Sequence, residues 1–225
     1  MTRNTHLTKL IILLGILALL FGGIATAYAE SDIPLMIRVR GLGVMPDDDS
    51  DAVPAIGGEG AVDNSIGAEI DFTYFFTDNI ASELVLGAAQ HNVEAKGTAI
   101  GNVDLGDVWL IPPTLTLQYH LMPDAKIRPY IGAGINYTIF FEENEGTVVL
   151  DTGYDNAFGY AFQVGMDIGI TENFAFNIDI KKLYLETEAD VTVPGAVVGL
   201  DTPATVETDV DIDPWLLGVG IAYRF

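Results

Sequence analysis

Glu69, Asp71 and Thr73 alternate along "SIGAEIDFTYFFTD", so an extended chain carries two carboxylates and a hydroxyl on one face. Paired carboxylates do general acid–base chemistry when their surroundings push their proton affinities apart, and a serine hydrolase needs Ser, His and an acid converging. No strand offers Ser and His on one face beside an acid, and strand alternation alone accounts for the nearness of Glu69 to Asp71. No enzymatic activity is expected. In "PDDDSDAVPAIGGE", Asp47, Asp49 and Asp51 supply the D-x-D-x-D opening of a calcium loop. An EF-hand loop also needs Gly at its sixth position and Glu at its twelfth, where Ala52 and Gly58 stand, so the run reads as a solvated loop. His91 and His120 have no His or Cys partner at ligand spacing, and neither a metal nor a cofactor is expected. The absence of cysteine rules out a disulfide framework and thiolate chemistry.

The elements that must position these residues follow a leader. Arg3 and Lys9 flank or precede the apolar run "LIILLGILALLFGGI", and Ala27 and Ala29 form an A-x-A site. This predicts a cleaved secretory signal peptide over residues 1–29, because the run is shorter than the ~20 residues a spanning helix needs. A barrel domain is then expected over residues 30–225, with a formal charge of −24 against −22 for the whole chain once Arg3 and Lys9 are removed. Export without disulfides fits a bacterial envelope.

Beyond the leader the hydropathy has period two. Ile66, Ala68, Ile70, Phe72, Tyr74 and Phe76 oppose Gly67, Glu69, Asp71 and Thr73; Phe158, Tyr160, Phe162 and Val164 oppose Gly159, Ala161, Gln163 and Gly165. Eight such segments are expected near residues 34–45, 65–77, 80–93, 108–121, 127–141, 156–170, 173–187 and 210–225. Each is long enough to cross ~25 Å of hydrocarbon at a tilt. Short turns at "TDN", "MPDAK" and "TEN" alternate with long Gly-, Pro- and Asp-rich connections. The aromatic face suits lipid and the glycine-rich face a narrow interior, which predicts an all-β fold, an eight-stranded antiparallel transmembrane β-barrel. A soluble lipocalin-like barrel is the alternative, and it does not explain the two kinds of connection. Turns and both termini are expected on the periplasmic side, with the long loops outside.

The same alternation turns Arg38, Arg40, Arg128, Lys181 and Arg224 inward, against Glu69, Asp71, Glu83, Asp167 and Asp179. Such charges are tolerable in a low dielectric only when paired, so a charge floor is expected in the periplasmic half, with Arg38 and Arg40 reaching Glu69 and Asp71. Towards the loops the inner face carries Leu42, Val44, Val85, Ala89, Phe140, Leu183 and Leu185, an apolar path. Pro112 and Pro113 sit in the upper part of the fourth crossing. Prolines remove ladder donors, so the pair marks either a lateral exit or a bulge that bends the wall. The excess acid lies in the long loops, where Lys96 is the lone base. An outer face this acidic repels nucleic acid and anionic partners; it keeps the protein solvated or binds the divalent cations that bridge lipopolysaccharide.

The stretch "LIPPTLTLQYHLMPDAKIRPYIGAGINYTIFF" resembles the most distinctive segment of the outer membrane protein W (OmpW) family, and "TYFFTDNIASELVLGAAQH", "FQVGMDIGI" and "DPWLLGVGIAYRF" agree with it. The resemblance implies a small outer-membrane barrel for passive passage of small hydrophobic molecules, with a bacteriocin or phage receptor role in some members. The expected partners are outer-membrane lipid and lipopolysaccharide, hydrophobic solutes and the barrel-insertion machinery. Tyr223 and the terminal Phe225 resemble the C-terminal assembly signal which that machinery reads. A structural envelope or receptor barrel without transport is the competing reading.

Overall fold

Alternating side chains can satisfy both lipid and a packed interior only if the sheet closes, since hydrocarbon offers no partner to an unpaired N–H or C=O. The computed structural model describes residues 34–47, 59–98, 101–145, 151–195 and 201–225; the expected signal peptide, Asp49 and Asp51 lie outside them. The elements are β1 (Leu35–Met45), β2 (Glu59–Val62), β3 (Ser65–Phe75), β4 (Ile80–Thr98), β5 (Gly101–Ile111), β6 (Thr114–His120), β7 (Ile127–Glu145), β8 (Asp151–Tyr154), β9 (Ala157–Gly169), β10 (Phe174–Val193), β11 (Ala204–Asp211) and β12 (Trp215–Arg224).

Going round the wall, β1 pairs with β3, β3 with β4, β4 with β6 and then β5, both of these with β7, β7 with β9, β9 with β10, and β10 with β12. β12 pairs back with β1, so the ring is closed and antiparallel throughout. β5 and β6 are two halves of one crossing, which makes eight crossings. Beyond the wall at the loop end, β2 joins an arm of β4, while β8 and β11 join an arm of β10.

Two expected segments differ in detail. The crossing expected over 210–225 begins only at Trp215, because Ala204–Asp211 belongs to the β10 arm. Between them Asp213 has a left-handed φ of 32°, and Pro214 follows, so the chain turns before entering the wall. The segment expected over 108–121 is interrupted at Pro112 and Pro113.

The outer face is apolar and bare. Phe158, Tyr160 and Phe162 on β9 are 77%, 68% and 54% exposed, whereas Ala161 and Gln163 are buried. Water would not tolerate a wall of this kind; lipid requires it. On the inner face, glycine lets strands and side chains approach closely: a Cβ on Gly134 would collide with the Leu115 carbonyl oxygen and lie 2.7 Å from Thr116 Cα.

Candidate functional site

The interior is layered from the turn end to the loop end. Met36, Phe75, Ala81, Ala175 and Ala222 form an apolar layer nearest the turns. Above them is an ion-pair layer built by inward positions of β1, β3, β4, β9 and β10. Arg38 grips Asp167 through Nε and Nη2 at 3.2 and 2.8 Å, and its Nη1 donates to Glu83 at 2.7 Å and Thr73 at 2.6 Å. Arg40 pairs with Glu69 at 2.7 Å and Asp71 at 2.6 Å. Lys181 bridges Glu69 and Asp179 at 2.8 and 2.9 Å. Gln118 and Gln163 donate to Glu83, and the Tyr130 hydroxyl donates to Asp179. All eight charged groups are essentially without solvent access.

This arrangement differs from the expected floor in three respects. Arg38 does not turn to Glu69 or Asp71; its side chain crosses the narrow lumen to β4 and β9, leaving Asp71 to Arg40 and Glu69 to Arg40 and Lys181. Arg128 and Arg224 make no ion pair among the described residues: the Asp167 oxygens opposite Arg128 are taken by Arg38 and Asn177, and Arg224 lies 4.2 Å over the Phe75 ring. Three bases therefore face five acids, and an apolar layer lies beneath them.

Leu42, Val44, Ala89 and Leu183 pack with Ala161 and Leu216 above the ion pairs, and Phe140 and Leu185 pack with Val108, Leu110 and Ala157 nearer the loops. Val85 is buried between Asp71 and Thr114 in the ladders. The apolar path residues thus fill their own lumen. Beside them runs a stripe that hydropathy alone did not single out: Thr114, Thr116, Asn136 and Thr138 of β6 and β7, all buried. Their inward phase was legible, but only the ladder register gathers them into one patch. Ser65 and His91, on adjacent strands, do meet: Ser65 Oγ lies 3.1 Å from His91 Nε2, and His91 Nδ1 lies 3.1 Å from the Asp63 carbonyl oxygen. Tyr223 packs edge-on against Phe174, and Phe225 is 45% exposed.

The wall is broken beside the polar stripe. The ladder between β4 and the fourth crossing stops at Val85 with Thr114 and resumes at Ala89 with Leu110. The register is the same on both sides of the gap. On the other flank, Thr114 with Asn136 and Ile111 with Ile139 also keep one register, and the Tyr137 N–H still donates to the Pro113 carbonyl at 3.0 Å. A bulge would shift the register by a residue; Pro112 and Pro113 do not. They leave an aligned seam without ladder pairing, about 13 Å long at ~3.3 Å per residue. Pro112 has no N–H to offer, and its carbonyl accepts from Thr114 Oγ at 2.9 Å instead.

The OmpW family model matches residues 33–225. The uncharacterized outer-membrane protein y4mB of Sinorhizobium fredii is 44% identical over 85% of this chain and 80% of its own. The dibenzothiophene metabolism operon protein PahQ of Pseudomonas aeruginosa is 30% identical over 75% of this chain and 76% of its own. The crystal structure of the outer membrane protein OprG from Pseudomonas aeruginosa superposes with a TM-score of 0.76 at 30% identity, covering 85% of this chain and 95% of that one. With its closed eight-crossing wall and bare apolar outer face, the chain belongs to the OmpW family and is a β-barrel of the Gram-negative outer membrane.

Proposed function

We propose that this barrel admits small hydrophobic molecules passively from the outer face and releases them sideways into the bilayer. A solute enters among the long loops, displaces the packed apolar side chains around Leu42, Val44, Ala89, Phe140, Leu183 and Leu185, and gains ~25 cal/mol for each Å² of apolar surface taken from water. Passage straight through would require parting the ion pairs of Arg38, Arg40 and Lys181, whose separated charges are costly away from water. The exit is therefore the seam at Pro112 and Pro113. The observation that carries this reading is the in-register break in the wall, next to apolar lumen and above a layer of paired charge. PahQ, named for a dibenzothiophene metabolism operon, supports an apolar cargo. The acidic loops meet lipopolysaccharide through bridging cations, and Tyr223 and Phe225 form the address read by the insertion machinery.

The test is influx of dibenzothiophene into vesicles with lipopolysaccharide in the outer leaflet, with an eight-stranded barrel lacking wall prolines as control. Faster influx than the control is expected. Equal influx overturns the proposal and leaves a structural or receptor barrel.

A further inference from the structure

Six buried side-chain polar atoms among the described residues have no hydrogen-bond partner within the protein, and three of them belong to uncharged side chains: Thr116 Oγ, Asn136 Oδ1 and Gln163 Oε1. Their residues are 1%, 1% and 5% exposed, and buried polar atoms in a native interior are normally hydrogen-bonded. The ladders bring them together. Thr116 lies opposite Gly134, and Gly134 opposite Ala161; Asn136 lies between Thr114 and Gly159; Gln163 lies opposite Gly132. Glycine on the neighbouring strand lets these side chains close in: a Cβ on Gly159 would come within 2.6 Å of Asn136 Oδ1, and one on Gly132 within 2.9 Å of Gln163 Cγ. Asn136 spends its Nδ2 on Thr138 Oγ at 3.0 Å, and Gln163 spends its Nε2 on Glu83, so both present a bare carbonyl oxygen.

The row continues into apolar surface. Ala161 pairs with Leu183 and Gly159 with Leu185, and these leucines belong to the two apolar clusters. One side of the lumen is thus hydroxyl and amide, the other hydrocarbon, and the seam at Pro112 and Pro113 adjoins the polar side through Thr114 and Asn136.

We propose that this patch selects neutral apolar solutes that carry one hydroxyl group. The Asn136 carbonyl requires a donor, and the Thr116 hydroxyl one step along the row donates or accepts; a ligand hydroxyl accepts from Thr116 and donates its one proton to Asn136 Oδ1, whereas a ketone or ester leaves that carbonyl unmet. A carboxylate is disfavoured, because three bases face five acids in the layer beneath. The hydrocarbon remainder of the solute lies against Leu183 and Leu185. This inference rests on the proposed uptake function and adds the substrate class to it.

The experiment compares 1-decanol with decane in two readouts on the intact protein. The first is influx into lipopolysaccharide-faced vesicles; the second is displacement of the Asn136 side-chain amide resonance in nanodiscs. The double variant Thr116→Val with Asn136→Leu should slow decanol influx roughly fivefold or more, the worth of one to two net hydrogen bonds, and leave decane influx unchanged. Thr116→Ser should retain the decanol rate. Equal slowing of both solutes, or no slowing of either, overturns the inference. If wild-type protein carries neither solute but decanol still shifts the Asn136 resonance, the uptake function falls and the hydroxyl site stands. Absence of that shift in wild type overturns the site by itself.

Discussion

Replacing Pro112 by Val and Pro113 by Thr should close the lateral seam. The Pro113 carbonyl accepts from Tyr137 N–H on β7, so position 113 turns its main-chain polar groups towards β7 and position 112 turns its own towards β4. The conserved register places position 112 opposite Gly87, where an unbroken ladder would exchange two bonds. The variant supplies the missing donor and frees the carbonyl now held by Thr114 Oγ. At about 1 kcal/mol net per bond, opening the seam becomes roughly 2 kcal/mol harder. That corresponds to roughly a 30-fold smaller open population, and lipid around the wall strengthens the effect because no water replaces the bonds. Influx of dibenzothiophene into lipopolysaccharide-faced vesicles should fall by a similar factor, while heat-modifiable migration on a gel reports that the barrel is still folded. Influx within twofold of wild type, in a folded variant, would refute the seam as the exit.

Arg40→Met leaves Asp71 with no ion-pair partner and removes one of two from Glu69, so unfolding by urea in detergent micelles should show a loss of roughly 3–5 kcal/mol; a loss below 1 kcal/mol would contradict the network. Gly134→Ala drives a Cβ into the Leu115 carbonyl and should destabilise by roughly 1–3 kcal/mol or more. Gly41→Ala is the control, since its nearest neighbour is 4.0 Å away, and similar melting of the two variants would contradict the close-approach argument. Lys182→Ala breaks a 2.8 Å pair whose Asp47 partner is 63% exposed, so the same urea measurement should register at most about 1 kcal/mol.

Much of the wall is written in the alternation of particular residues. Phe158, Tyr160 and Phe162 against Gly159, Ala161 and Gln163 decide which way β9 faces, because successive side chains on a strand must point to opposite sides. The inward phase of Arg38, Arg40, Glu69, Asp71, Glu83, Asp167, Asp179 and Lys181 follows for the same reason. Period two says nothing about partners, however. Arg38 and Arg40 have the same type and phase, yet the shortest ion pairs of Arg38 are with β4 and β9 and those of Arg40 with β3, a choice that depends on which carboxylates barrel closure brings around each side chain in a filled lumen. Arg128 shares their phase and has no ion pair among the described residues, since Arg38 and Asn177 already occupy the carboxylate opposite it.

The amino-acid sequence by itself determined that this chain crosses a membrane eight times as strands, with aromatic residues outward and charge and glycine inward, because that pattern is local and repeats every two residues. The tertiary structure alone decided that Pro112 and Pro113 form an aligned gap, that the ion pairs lie between apolar layers, and that Thr116, Asn136 and Gln163 share one patch. Those facts depend on ladder register and barrel closure, which join residues far apart in the chain and have no local period to announce them.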